Sequence, residues 1–227
     1  MAAARGRPVS DTAALLKLMS WLSPVFPIGG FAYSAGLEQA VQSGRVTDHA
    51  ALADWIAVQI TQGALWNDTV ILMEAHCAAA DRATLSELSG LCLALCIGQE
   101  RLDETLNQGT SFFDAVSHWV EPARLAERGA PLPVALGAAA GLERIGPLLT
   151  ASAYLHAFVS NQLQCAIRLS VVGQDAAARL LAGLEPVIAE TADRGARSTL
   201  DDLGGAAFIC DSAAMTHETL QPRLFLS

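Results

Sequence analysis

The chain has 227 residues, room for one domain or at most two, and 52% of them are hydrophobic against 16% charged, which excludes a disordered chain. The net charge is −9, with 14 basic against 23 acidic residues and Lys17 as the sole lysine, and this argues against nucleic acid, whose phosphates demand clustered basic side chains. A mean hydropathy of +0.35 without any apolar run long enough to span a bilayer points to apolar surface kept for a protein partner, with no membrane role.

Residues 1–10 carry Arg5 and Arg7 but no apolar stretch behind them, so they read as a disordered tail and not as a secretory leader. Leu15, Leu18, Met19 and Leu22 recur at helical spacing and predict a first helix with these four on its buried face. Pro24 and Pro27 stop it, and Gly29 and Gly30 free the backbone to turn. A second helix is expected over 32–43, with Gly44 just past its end. Thr47 is the candidate N-cap of a third, in which Leu52, Trp55, Ile56 and Ile60 share a face.

A fourth helix is expected over 67–80, and Thr84 with Glu87 reads as a capping box opening a long helix over 85–108. Prolines and Gly129 make 117–133 a connector. Tyr154, Leu155, Phe158, Cys165 and Leu169 keep helical spacing over 148–170, and beyond Gly173 an Ala/Leu-rich helix runs to about 193, followed by a loop over 194–205. The apolar run over 154–181 is expected to supply a homodimer face. No period-2 strand pattern and no internal repeat occur. The expectation is an all-α, single-domain helical bundle of roughly eight to ten helices over 11–214, with a C-terminal tail over 215–227.

Chemistry-bearing groups are sparse. Cys92 and Cys96 lie one helical turn apart but form only half a metal site, in an otherwise apolar stretch. His76 and Cys77 are adjacent and so point to different helix faces. His49, His118 and His156 each stand alone. Nucleophile elbows, zinc-protease motifs and Walker loops are all missing, so nothing recommends an enzyme. Five cysteines, an odd number, fit reduced thiols and a cytoplasmic location.

Three segments are more specific. Residues 23–38, Ser-Pro-Val-Phe-Pro-Ile-Gly-Gly-Phe-Ala-Tyr-Ser-Ala-Gly-Leu-Glu, resemble the N-terminal signature of the UreF family of urease accessory proteins. Residues 168–174, Arg-Leu-Ser-Val-Val-Gly-Gln, and the ending Met-Thr-His-Glu…Arg-Leu-Phe-Leu-Ser over 215–227 are similar to that family's other two motifs, in the same order. Val171 stands where the family pattern has Pro, and Thr216 and Leu226 stand where it has Arg.

The resemblance implies an all-α protein that dimerises, binds UreD (also called UreH) and recruits and regulates the nickel-carrying GTPase UreG to act on apo-urease (UreABC). It implies no catalysis and no cofactor of its own, nickel being handled by the complex. Carried onto the matching motifs, the partner-binding candidates are Tyr33, Glu38, Arg168, Gln174, His217, Glu218, Arg223, Leu224 and Phe225. Two rivals are a metallochaperone carrying nickel on its own His and Cys, and a GTPase-activating protein donating an arginine finger.

Several of these residues also have a plain physical reading. Arg168 at the end of an apolar helix suits the helix dipole as well as it suits a contact on the UreG-facing side. The tail, with Pro222 and the apolar Leu224, Phe225 and Leu226, is expected to be disordered alone and ordered on UreD. The alternative is that it folds back on the chain's own core.

Overall fold

The structure is a computed structural model that describes residues 10–227, so the tail expected over 1–10 lies outside the described residues except for Ser10, which caps the first helix. Ten α-helices occur among the described residues: α1 (Asp11–Trp21), α2 (Leu37–Gln42), α3 (His49–Gln62), α4 (Ala64–Cys77), α5 (Arg82–Ala94), α6 (Gln99–Val116), α7 (Leu132–Leu142), α8 (Pro147–Arg168), α9 (Gln174–Gly195) and α10 (Phe208–His217). Short 3-10 turns occupy Gly30–Ala32, Pro122–Arg124 and Leu200–Asp202, and no strand occurs among these residues. The all-α single domain expected from the periodicity is what the chain forms.

α4 and α7 are its centre. Residues 132–140 of α7 are all buried, as befits a helix that is apolar all round. α7 lies so close to α4 that a Cβ on Gly137 would sit 2.3 Å from the Leu72 carbonyl oxygen, and one on Gly141 2.3 Å from that of His76. The main core, with Trp21, Ile56, Phe112, Leu155 and Ile188, fills one side of this pair. A smaller cluster of Ile71, Leu85, Leu88, Cys92, Val134 and Ala138 fills the other.

The structure corrects several local expectations. α1 buries Ala14, Leu18 and Trp21, while Leu15 and Met19 are 47% and 61% exposed. Trp21 sets this rotation by packing edge-on to Phe112 and Trp119, with ring centroids 6.0 and 6.4 Å away. The second helix begins only at Leu37, after the Gly30–Ala32 turn. Asp48, not Thr47, caps α3, its carboxylate accepting from the Ala50 and Ala51 amides at 2.9 Å each. Asp81 caps α5 through Ala83 and Thr84, displacing the box expected at Thr84 and Glu87.

The expected helix over 85–108 is two helices broken at 95–98. The break is stabilised from afar, because the Glu218 carboxylate accepts from the Gln99 and Glu100 amides at 2.7 and 3.3 Å and so caps α6. The run over 154–181 is divided between the core and the surface, with Phe158, Ile167, Leu180 and Leu181 half-buried. Tyr154, Leu155, Val159, Leu163, Cys165, Ala166 and Ala177 are buried in the chain's own core. No helix among the described residues is long and apolar enough to cross a membrane.

Candidate functional site

The three motif segments converge at one end of the bundle. The proline-rich turn after α1 ends in Tyr33 and Ser34 and passes into α2 through Gly36. At Gly36 φ is +80°, and a Cβ would meet the Ala214 amide nitrogen of α10 at 2.7 Å, so a side chain is barred both by conformation and by the close crossing of α2 and α10. That crossing brings Glu38 of α2 against His217, the last residue of α10.

Glu38 is 2% exposed and His217 is fully buried. The Glu38 carboxylate lies 3.1 Å from His217 Nε2 and accepts from the amides of Leu224 and Phe225 at 2.7 and 3.0 Å. On the other edge of the ring, Nδ1 lies 2.7 Å from a Glu100 oxygen, and Arg223 pairs with the same carboxylate. A buried carboxylate must have its lone pairs met, and here the tail's own backbone meets them.

The last residues run back along the turn. The Leu226 amide donates to the Ala32 carbonyl at 2.8 Å, and both the amide and hydroxyl of Ser34 donate to the Ser227 main-chain oxygen. Phe225 is 2% exposed, and the Arg168 guanidinium covers its ring at 4.2 Å while donating to the Phe31 carbonyl at 2.6 Å. Asn161 and Gln162 of α8 donate to the Tyr33 and Ser34 carbonyls at 3.1 and 3.0 Å. Turn, helix end and tail are therefore one interlocked unit.

This differs from the free tail over 215–227. Its first residues, Met215–His217, belong to α10, and the remainder is folded back because Glu38, Ser34 and Arg168 supply ready partners for it. Of the nine candidates, Glu38, Arg168, His217, Arg223, Leu224 and Phe225 meet in this unit. Tyr33 is buried within it, its hydroxyl accepting from Asn107 at 3.5 Å. Glu218 acts beside it as the cap on α6. Gln174 stands apart, exposed in the first turn of α9.

A groove of about 640 Å³ opens beside this unit. On its floor Arg101 pairs with Asp68 and, at 3.1 Å, with Glu104. The Tyr154 hydroxyl donates to Asp68 at 3.1 Å, and Gln108 donates to Glu104 at 3.1 Å. Burial pushes both carboxyls above the usual carboxylate range against the pull of Arg101. The sequence reading missed this cluster. Its signal was Asp68 standing inside the apolar stretch Leu65-Trp66…Val70-Ile71-Leu72.

The thiols and imidazoles are dispersed. Cys92 is buried, and burial pushes its thiol far up; Cys96 turns back to donate to the Cys92 carbonyl at 3.5 Å. His76 Nε2 lies 2.7 Å from the Ile145 carbonyl oxygen, and His49, His118 and His156 are exposed on separate helices or loops. Among the described residues no three His, Cys, Asp or Glu side chains gather as metal ligands.

The geometry agrees with what comparison finds. Residues 46–185 match the sequence profile of the family described as UreF. A urease accessory protein UreF of Mesorhizobium japonicum is 50% identical over 219 residues, spanning 96% of this chain and 98% of that protein. One from Agrobacterium fabrum is 48% identical over the same shares, and a UreF 1 of Brucella anthropi is 46% identical over 94% of each chain. The chain belongs to the UreF family.

Proposed function

We propose that this chain is a non-catalytic adaptor in urease maturation: it binds UreD (UreH), and the pair recruits and regulates the GTPase UreG so that nickel reaches apo-urease. The observation that carries the reading is the convergence of the three motif segments. Residues far apart in the sequence, Phe31, Arg168 and Phe225, are fastened together at one end of the bundle. The assembly leaves Phe31 at 70%, Met215 at 54%, Leu224 at 53% and Leu226 at 52% exposure on the outside. Apolar side chains held out by an ordered scaffold suit a protein contact surface, with the polar network acting as its frame.

Nickel on this reading is cargo of the complex. The scattered thiols and imidazoles favour the adaptor over a chain that carries nickel alone. The test is reconstitution. Apo-urease, UreD, UreG, GTP, bicarbonate and nickel are combined with and without this chain, and urease activity is followed. The chain is expected to be required, and equal activation without it overturns the reading.

A further inference from the structure

The groove beside the motif unit combines apolar walls with an acidic lining. Its walls carry Ile28, Phe31, Ile97, Phe158 and Met215, while its carboxylates, Asp68, Glu100, Glu104, Asp211 and Glu218, outnumber its two guanidinium groups. One of those, Arg168, is already committed to the Phe31 carbonyl and the Phe225 ring. Arg101 alone is left to answer both Asp68 and Glu104 on the floor. Two buried carboxylates sharing one cation leave an electrostatic demand that a further positive charge would meet, and removal from water strengthens such a pairing.

We propose that the groove receives a segment of a partner protein that presents apolar side chains to its walls and at least one lysine or arginine to Asp68, Glu104 and Asp211. The occupant is identified by charge complementarity. The chain carries −9 overall, and an acidic apolar cleft selects a basic apolar segment while rejecting an acidic one. The volume of about 640 Å³ lies within the range of sites that enclose a compact group of side chains. Asp211, half-buried at the rim of the groove and in the first turn of α10, is placed where an arriving cation passes before reaching the floor. This inference rests on the adaptor reading and adds the chemistry of the segment the partner contributes.

The experiment uses the full chain with UreD and UreG as probes. A photo-crosslinking p-benzoylphenylalanine replaces His156, an exposed residue lining the groove, and the crosslinked peptide is identified by mass spectrometry. In parallel, affinity for each probe is measured for the parent, Asp211→Asn and Asp211→Lys at low and high salt. The proposal expects a crosslink to a partner peptide bearing Lys or Arg among apolar residues. It also expects affinity roughly tenfold or more weaker for Asp211→Lys, an intermediate loss for Asp211→Asn, and a shallower salt dependence in both. Crosslinks only to residues 1–9 of the same chain or to a second copy overturn it. So does an Asp211→Lys affinity equal to the parent's while UreD and UreG still bind, which leaves the adaptor reading standing. If neither probe binds the parent chain, both readings fall together.

Discussion

Glu38 and His217, 179 positions apart in the chain, meet at 3.1 Å with both side chains sealed from solvent. The same carboxylate holds the Leu224 and Phe225 amides, so its charge ties α2, α10 and the tail together. Glu38→Gln keeps the shape, removes the charge and can satisfy only part of that set. The expected cost is about 1.5–3 kcal/mol, the range for hydrogen bonds to a charged group. Urea unfolding should show the lower midpoint, and amide exchange should accelerate at Leu224 and Phe225 while α3 and α4 keep their protection. Unchanged exchange at the tail would mean that Glu38 does not hold it.

Phe225 and Phe112 are equally buried, at 2% and 0%, but one lies near a chain end and the other inside α6. Phe112→Ala leaves a cavity that the surrounding helices cannot close, at about 3–5 kcal/mol. Phe225→Ala should cost less, because the tail can detach locally and cap the loss. Thermal melts of the two variants check the order, and circular dichroism should show no loss of helix in Phe225→Ala.

Two glycines separate close approach from mere flexibility. At Gly137 a Cβ would be 2.3 Å from the Leu72 oxygen, whereas at Gly183, inside α9, it meets nothing within 4 Å. Gly183→Ala should raise stability by about 0.4–1 kcal/mol by restricting the unfolded chain. Gly137→Ala must push α4 and α7 apart, and should lower stability by about 1–3 kcal/mol or more. Calorimetry on both variants tests the pair, and equal shifts would contradict the packing of α4 on α7.

What the sequence made legible was whatever is local. The α3 face of Leu52, Trp55, Ile56 and Ile60 was readable because all four obey one helical stripe and all are buried. In α1 two stripes compete, and the choice of Leu18 and Trp21 over Leu15 and Met19 depends on Phe112 and Trp119, about a hundred residues away. The break before Gln99 was hidden for the same reason, since its cap is the side chain of Glu218. The motif residues were found by resemblance. That Glu38 and Arg168 hold the chain's own tail, and that His217 sits between Glu38 and Glu100, was not readable, because each of those contacts joins residues far apart in the sequence. Gln174 was singled out with them, yet it stands apart in the fold.

Burial raises the Asp68 carboxyl above its usual value, with Arg101 and the Tyr154 hydroxyl pulling the other way. A raised carboxyl holds its proton more tightly folded than unfolded. Its stabilising share is therefore complete below the ordinary aspartate value of about 3.9 and is lost as pH climbs through the folded-state value. Asp68→Asn mimics the protonated form, so its stability relative to the parent should improve as pH rises above about 4, by at most about 1.4 kcal/mol per pH unit. Chemical denaturation across that range reads the slope. A difference that is flat, or that falls with pH, contradicts the assignment.

On the adaptor reading proposed above, the folded-back tail is a framed contact surface for UreD. Leu224 and Leu226 flank buried Phe225 and are 53% and 52% exposed. Replacing both with serine should leave the melting behaviour within about 0.5 kcal/mol of the parent, as for surface changes away from packing. Co-purification of UreD with the Leu224→Ser/Leu226→Ser variant, quantified against the parent chain, is the most direct measurement. The account predicts UreD binding reduced roughly tenfold or more with the fold intact, and UreD retained at full strength would contradict it.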